Sequence, residues 1–334
     1  MKVKFIGIIL CTFCCLSLFP ARGQAVKIIF DTDMESDVDD VGALAMLHGL
    51  ADQGEAEILA TMVCSLNPWS VPTVDAINTY FDKPDIPIGT VKTLGVYRNS
   101  KYAKIISEEF SNDIGLGEEA PDAVTLYREI LTNQPDQSVV IVTVGYLTNL
   151  SYLLNSGPDQ ISPLNGYELV QKKVKHLVCM GGRYPYHQNY EKWGNFKPDP
   201  GAVQHVAKDW PSTIIFTGGG AFADLFKTGK TPFNYGPHSN PLSRAYEIFL
   251  KDRRDWHHSA DLIAVYVAVR GWEDFFEIHT EGYNHIFEDG TLMWRLQPED
   301  NRHQYINDLK KGMDPEQVAK IFDDLMVQSI RKAK

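Results

Sequence analysis

The sequence predicts an α/β fold: a doubly wound, mostly parallel open sheet of Rossmann-like type, in one domain with a small late β-hairpin. Two observations predict it. Short apolar, β-rich runs alternate with helical patterns across short turns, the order expected of βαβ units. No internal repeat, low-complexity tract or Gly/Ser linker interrupts that order. Strands are expected at 27–30, 58–64, 86–89, 138–144, 174–180 and 213–216. Helices are expected at 41–50, 71–80, 123–131, 147–154 and 200–207. The region 248–270 reads as helical, with 261–269 as its apolar body. The stretches 276–283 and 290–295 suggest the hairpin. Asp314-Pro315-Glu316-Gln317 then opens a last amphipathic helix running to about Ile330.

The chain begins Met1-Lys2-Val3-Lys4, runs apolar from Phe5 to Phe19 and continues Pro20-Ala21-Arg22-Gly23. A basic start, an apolar middle and small residues fit a cleavable signal peptide over 1–23. The reading is therefore a secreted or periplasmic protein of residues 24–334, with no membrane insertion after cleavage. The apolar run is short for a membrane span, and no small residue directly precedes Cys11, Cys14 or Cys15 as a lipoprotein site requires. Only Cys64 and Cys179 remain in the mature part. They fall near the ends of different expected strands. Two or three strand spacings of about 4.8 Å exceed the reach of a disulfide, so two buried free thiols are expected. A net charge of −11 argues against binding of a nucleic-acid polymer, but not of its small components.

After the first expected strand comes Asp31-Thr32-Asp33-Met34-Glu35-Ser36-Asp37-Val38-Asp39-Asp40, with six acidic side chains in ten positions. Two carboxylates about 5 Å apart repel by roughly 3 kcal/mol at an effective dielectric of 20. Folding such a run into a strand-to-helix turn is costly unless a cation neutralises it. An all-oxygen site suits a hard divalent ion, Ca²⁺ before Mg²⁺. The competing reading is a solvated loop whose Asp39 or Asp40 caps the next helix. An EF-hand is excluded, because Ser36 stands at its turn-glycine position and Gly42 at its last acid position.

In a doubly wound sheet the carboxyl ends of neighbouring strands meet at one crevice. The acidic run would there face Ser65-Leu66-Asn67-Pro68-Trp69, Gly145-Tyr146-Leu147-Thr148-Asn149, and the loop from Met180-Gly181-Gly182 to Asn195 and Asp199-Pro200. Carboxylates with a hard ion can activate water, amides and acids can grip sugar hydroxyls, and Trp69, Tyr146, Tyr184, Tyr186 and Trp193 offer faces on which a base can stack.

Together these segments resemble the inosine-uridine-preferring nucleoside hydrolase family, over nearly the whole mature chain. The acidic run resembles its Asp-x-Asp…Asp-Asp signature, in a form two residues longer. Gly145 to Leu150, Met180-Gly181-Gly182, Asn195…Asp199-Pro200 and Ser259-Ala260-Asp261 resemble its later elements in the same order. The resemblance implies Ca²⁺-dependent hydrolysis of the N-glycosidic bond between ribose and base, with a small nucleoside or related riboside as substrate. Asp33, Asp40 (bidentate), the Val144 carbonyl and Asp261 would hold the ion. Asp33 would also serve as general base toward the attacking water. Asp39 would hold a ribose hydroxyl; Asn67 and Asn195 would contact ribose or its oxocarbenium form. Asn189, Glu191 and Trp193 would complete the substrate wall. A homo-oligomer is compatible with the resemblance.

The chain also departs from the family. Ala260 stands where one branch carries a histidine, so no proton reaches the departing base from there. His257 and His258 are expected at the surface, on different faces of a helix. Glu191 is displaced by two residues from the family's Glu-x-Asn element, and Met34 and Glu35 replace a glycine and an apolar residue. These departures keep a second reading open: an exported relative that binds nucleoside or sugar and hydrolyses it weakly. A haloacid-dehalogenase phosphatase also places Asp-x-Asp after its first strand, but Glu35 sits where that family needs Thr or Val, and Asp39-Asp40 would be unexplained.

Overall fold

A computed structural model describes residues 24–185, 191–192, 194–235, 240–251 and 255–332. The expected signal segment 1–23 lies outside the described residues, as do Tyr186, Asn189 and Trp193. No helix among the described residues is long and apolar enough to cross a membrane.

The chain runs β1 (Val26–Thr32), α1 (Asp39–Asp52), β2 (Ala56–Val63), α2 (Ser70–Tyr80), β3 (Ile88–Thr90), α3 (Ala103–Glu109), α4 (Ala123–Thr132), β4 (Val139–Thr143), α5 (Thr148–Asn155), α6 (Gly166–Lys173), β5 (Val174–Met180), β6 (Glu191–Lys192), α7 (Pro200–Asp209) and β7 (Thr213–Thr217). It continues with α8 (Lys230–Asn234), α9 (Pro241–Leu250), α10 (Ala260–Arg270), β8 (Phe276–His279), β9 (Tyr283–Ile286), β10 (Thr291–Arg295), β11 (His303–Leu309) and α11 (Pro315–Lys332). Eight strands form one sheet in the order β3-β2-β1-β4-β5-β7-β11-β8, parallel except for the edge strand β8. An antiparallel group β6-β10-β9 stands apart from it. This is the doubly wound α/β sheet that the alternation predicts.

Two apolar cores, one on each face, cover the sheet. On one face α1, α9, α10 and α11 contribute Leu44, Leu47, Leu242, Leu262, Val265, Phe322 and Met326. On the other, α4 to α7 contribute Leu126, Tyr127, Leu131, Leu150, Leu153, Val203 and Val206. Every residue of α1 from Asp39 to Leu50 is buried, so the helix carries apolar side chains all round rather than on one stripe. It lies against α11 so closely that a Cβ on Gly49 would run into the Leu325 carbonyl. Cys64 and Cys179 follow β2 and lie in β5, with β1 and β4 between those strands; both thiols are free and buried.

Three expectations about elements change. The expected helical stretch 248–270 is not one helix: it takes in the end of α9 and all of α10, and between them His257 bridges Thr228. The stretch 276–283 is divided: β8 joins the large sheet beside β11, and the hairpin is β9 with β10. β11, α3 and α6 carry weaker sequence patterns and were not expected. They are set by the partners they pack on.

Candidate active site

β1 lies between β2 and β4, so its carboxyl end opens between two neighbouring strand ends. The chain leaves it at Asp33, turns through Met34 in the left-handed region (φ 49°), and enters α1 with Asp39 and Asp40 in the first helical turn. Val38 is the N-cap and makes no side-chain cap bond, so neither aspartate is a capping residue. Asp40 accepts from the Thr32 hydroxyl, and from the Met34 N–H at 3.3 Å. Asp261 stands in the first turn of α10, and its N–H donates to Asp39 Oδ2 at 3.3 Å. Two helix N-termini therefore converge on one group of acids, where their partial positive charge offsets some repulsion.

Neighbouring strand ends lock this turn in place. The Val144 N–H donates to the Asp31 carbonyl at 2.8 Å. Gly145 lies so near that a Cβ there would meet the Asp33 nitrogen at 2.5 Å and the Cys64 sulfur at 2.6 Å. Asp31 points under the turn and accepts from Tyr127 Oη at 2.8 Å and Asn149 Nδ2 at 3.2 Å. Thr148 donates to Asp199 Oδ2 at 2.6 Å, and Asp199 N-caps α7 through the Ala202 N–H. Asn195 Nδ2 donates to the Val144 carbonyl at 2.8 Å. Glu35 is buried and accepts from Tyr146 Oη at 2.7 Å, from the Ser65 hydroxyl and from the Arg98 N–H.

The electrostatics follow from this crowding. Asp33 is almost wholly buried; burial and then Asp40, Glu35 and Asp37 hold its carboxyl well above the usual range. Asp40 is raised by burial and Asp37, and Asp261 by burial and then Asp39, Asp40, Asp37 and Asp33. Burial lifts Asp31 to about 7 against the hydrogen bonds from Tyr127 and Asn149. Glu35 is raised by burial, which outweighs Ser65, Tyr146 and Arg98.

Two histidines face the cluster. His257 Nε2 lies 3.3 Å from Asp39 Oδ1 and 3.6 Å from Asp37 Oδ2. His258 Nε2 lies 3.5 Å from Asp37 Oδ2 and 3.7 Å from Asp39 Oδ2. Burial alone would push His257 down, but Asp37 and Asp39 lift it to about 9. The surface position expected for these histidines is overturned. The break between α9 and α10 frees them from helical geometry, so both rings reach the same carboxylates.

Residues 28–328 match the sequence model described as inosine-uridine preferring nucleoside hydrolase. The chain belongs to that family. Its activity class is accordingly that of a hydrolase acting on N-glycosyl compounds. The fold resembles that of an inosine-uridine preferring nucleoside hydrolase from Bacillus anthracis, with a TM-score of 0.66 at 15% identity over 91% of this chain and 99% of that one. It also resembles a purine-preferring ribonucleoside hydrolase from Gardnerella vaginalis, with a TM-score of 0.67 at 16% identity over 91% and 99%. A type III effector, XopQ, solved with adenosine diphosphate ribose, matches with a TM-score of 0.62 at 14% identity over 91% and 93%. Comparison with curated protein sequences returns no match.

Against the nucleoside hydrolase pattern, Asp33, Asp39, Asp40 and Asp261 come together in the buried acidic cluster, with the Val144 strand end packed on it. Asn195 reaches the same strand end, but Asn67 does different work. Its Oδ1 accepts from the Trp69 N–H at 3.0 Å and its Nδ2 donates to the Arg98 carbonyl at 2.9 Å, so its amide braces the loop after β2. Glu191 begins β6, paired with Leu292. Tyr184 is not a stacking face: it is buried against Tyr305 and Phe216 and its hydroxyl donates to the Gly181 carbonyl. Tyr146 is buried too, with its hydroxyl on Glu35. Sequence reasoning left Tyr127, Thr148, Asn149 and Asp199 without roles; the Gly-x-Leu-Thr-Asn and Asp-Pro elements turn out to be scaffold contacts beneath the acids. The adjacency of His257 and His258 to Asp261 was the available signal for their placement. A cleft of about 760 Å³, lined by Gln204, His205, Asn284, His285 and Arg302, shares no residue with this cluster.

Proposed function

We propose that the protein is exported and hydrolyses the N-glycosidic bond of ribonucleosides in a Ca²⁺-dependent reaction. The observation that carries this reading is the convergence of buried aspartates, raised by burial and by one another, at the carboxyl edge of the sheet. Such a set is unfavourable by itself and favourable around a divalent ion. The donors are all oxygen, which suits Ca²⁺. Asp33, Asp40, Asp261 and the Val144 carbonyl would hold it; that carbonyl keeps a second lone pair beyond the one used by Asn195. Bound there, the ion would supply positive charge that acidifies an attacking water and orients the sugar diol.

The remaining work falls to the chain. Asp33, a buried carboxylate beside the ion it would hold, is suited to take a proton from the attacking water. Asp39 Oδ1 is buried without a hydrogen bond among the described residues and is available to a ribose hydroxyl. The carboxylates stabilise positive charge that builds on the sugar as the base departs. Asn195, bonded to the Val144 carbonyl, would contact the sugar through its remaining amide atoms. Asn67 supports the wall through Trp69, and would have to exchange a partner to touch substrate. Trp193, Asn189 and Glu191 are assigned to the same wall by sequence position. Ala260 offers no proton to the base, so a base that leaves without a dedicated acid fits best.

Glu35 favours a second reading. A buried carboxylate beside Asp33 alters the wall, and a relative that binds nucleoside with little hydrolysis would share every other feature. Base release from inosine, uridine, adenosine, guanosine and cytidine, followed chromatographically in Ca²⁺ or EGTA, tests both. Release that needs Ca²⁺ supports the proposal. Ca²⁺-dependent binding without release assigns the second reading, and neither would overturn both.

A further inference from the structure

We infer that Asp37, Asp39, His257 and His258 form a second cation site, for a four-coordinate divalent ion that accepts imidazole nitrogen, of the zinc class. The ligand-bearing atoms of these four residues all lie within 4.8 Å of one another. The four His-to-Asp separations run from 3.3 Å to 3.7 Å. A tetrahedral ion with bonds of about 2.0–2.1 Å needs ligand atoms about 3.3–3.4 Å apart. The four His-to-Asp separations therefore approach the edge length of such a tetrahedron, and the whole set closes on one ion by small side-chain shifts.

Hydrogen bonding does not account for the arrangement. His257 is buried, yet neither ring nitrogen has a hydrogen-bond partner among the described residues, and Asp39 Oδ1 has none. Buried polar atoms are ordinarily satisfied, so His257 Nε2 and Asp39 Oδ1, facing each other at 3.3 Å without a well-formed hydrogen bond, suggest a missing partner. An ion supplies it. Two protonated imidazoles are a poorer solution, because the rings of His257 and His258 stand with centroids 4.0 Å apart and two imidazoliums there would repel. Neutral imidazoles around an ion avoid that repulsion and balance the charges of Asp37 and Asp39.

The surroundings fit metal ligation in two more ways. His258 presents Nε2 to the site, and its Nδ1 lies 3.7 Å from Asp224 Oδ1. A ligating histidine commonly turns its other nitrogen to a carboxylate, which fixes the tautomer. The backbone at His257 is pinned by reciprocal hydrogen bonds with Thr228, and Ser259 bonds Thr228 Oγ1 and the Phe226 carbonyl. The donor set is two nitrogens and two oxygens, unlike the all-oxygen set proposed for Ca²⁺, so the two sites select different ions. An ion here would take the Asp39 oxygen assigned above to the sugar.

The test uses protein stripped with chelator, returned to excess Ca²⁺, and titrated with Zn²⁺ without any nucleoside. Riboside hydrolysis and zinc binding therefore fail separately. One zinc per chain retained after desalting is expected, with Co²⁺ giving the strong visible absorption of a four-coordinate ion. His258→Ala, at a partly exposed position, is expected to weaken zinc at least 100-fold and abolish the Co²⁺ signal. Asp224→Asn is expected to weaken it about 10-fold. Circular dichroism and the Ca²⁺-induced rise in melting temperature verify that each variant folds. No retained zinc, or zinc bound equally well by folded His258→Ala, overturns the inference.

Discussion

Replacing Asp261 by Asn is expected to stabilise the Ca²⁺-free protein and to weaken its hold on Ca²⁺. Asp261 is buried, and after burial its carboxyl is raised most by Asp39, Asp40, Asp37 and Asp33. At an effective dielectric of about 20, one pair of carboxylates about 5–6 Å apart costs roughly 3 kcal/mol. Raised groups relieve part of this by holding protons, so the net gain from one amide is about that of one pair. For a chain of this size about 3 kcal/mol corresponds to a melting temperature roughly 4–5 °C higher in EGTA. With Ca²⁺ the sign reverses, since removing one partner of a buried charge pair costs about 3–5 kcal/mol. That is a loss of about 10²- to 10⁴-fold in affinity. Melting in EGTA and in Ca²⁺, with calorimetric titration of the ion, reads both effects. A variant no more stable than the parent in EGTA would refute the repulsion, and an unchanged Ca²⁺ affinity would refute the ligand role.

Asp33→Asn is expected to lower base release by about 10²- to 10⁴-fold, the range for loss of a positioned general base; steady-state turnover of inosine and uridine measures it, and full activity would remove the assignment. Gly145→Ala puts a methyl against the Asp33 nitrogen and the Cys64 sulfur, so a loss of about 1–3 kcal/mol in urea unfolding and a matching loss of Ca²⁺ affinity are expected. Stability without Ca²⁺ should also depend on pH. Asp31, raised to about 7 when folded, contributes fully to the folded state only at acid pH, and the contribution is lost as pH rises from about 4 through about 7. His48, His176 and His303, pushed by burial to about 4, act in the opposite sense once pH falls below about 6.5. The urea midpoint in EGTA should therefore rise from pH 8 to pH 6.5, and a flat profile would contradict the placement of Asp31.

Local pattern alone determined much of this protein. Apolar runs and the turns after them located β1, β2, β4, β5 and β7, because a strand buried in a parallel sheet is written in consecutive residues. The acidic run stood out because six charged side chains in ten positions are costly whatever fold surrounds them. What the sequence could not carry was the pairing of distant segments. Asn149 on Asp31 spans 118 positions and Thr148 on Asp199 spans 51; both depend on strand order, not on propensity. The reversed edge strand β8 beside β11 is decided the same way. His257 and His258 read as surface residues of a long helix until the chain broke that helix and turned both rings onto Asp37 and Asp39. Charge clusters are visible in one dimension. Which groups oppose or complete them is settled only when the sheet brings remote loops to a common edge.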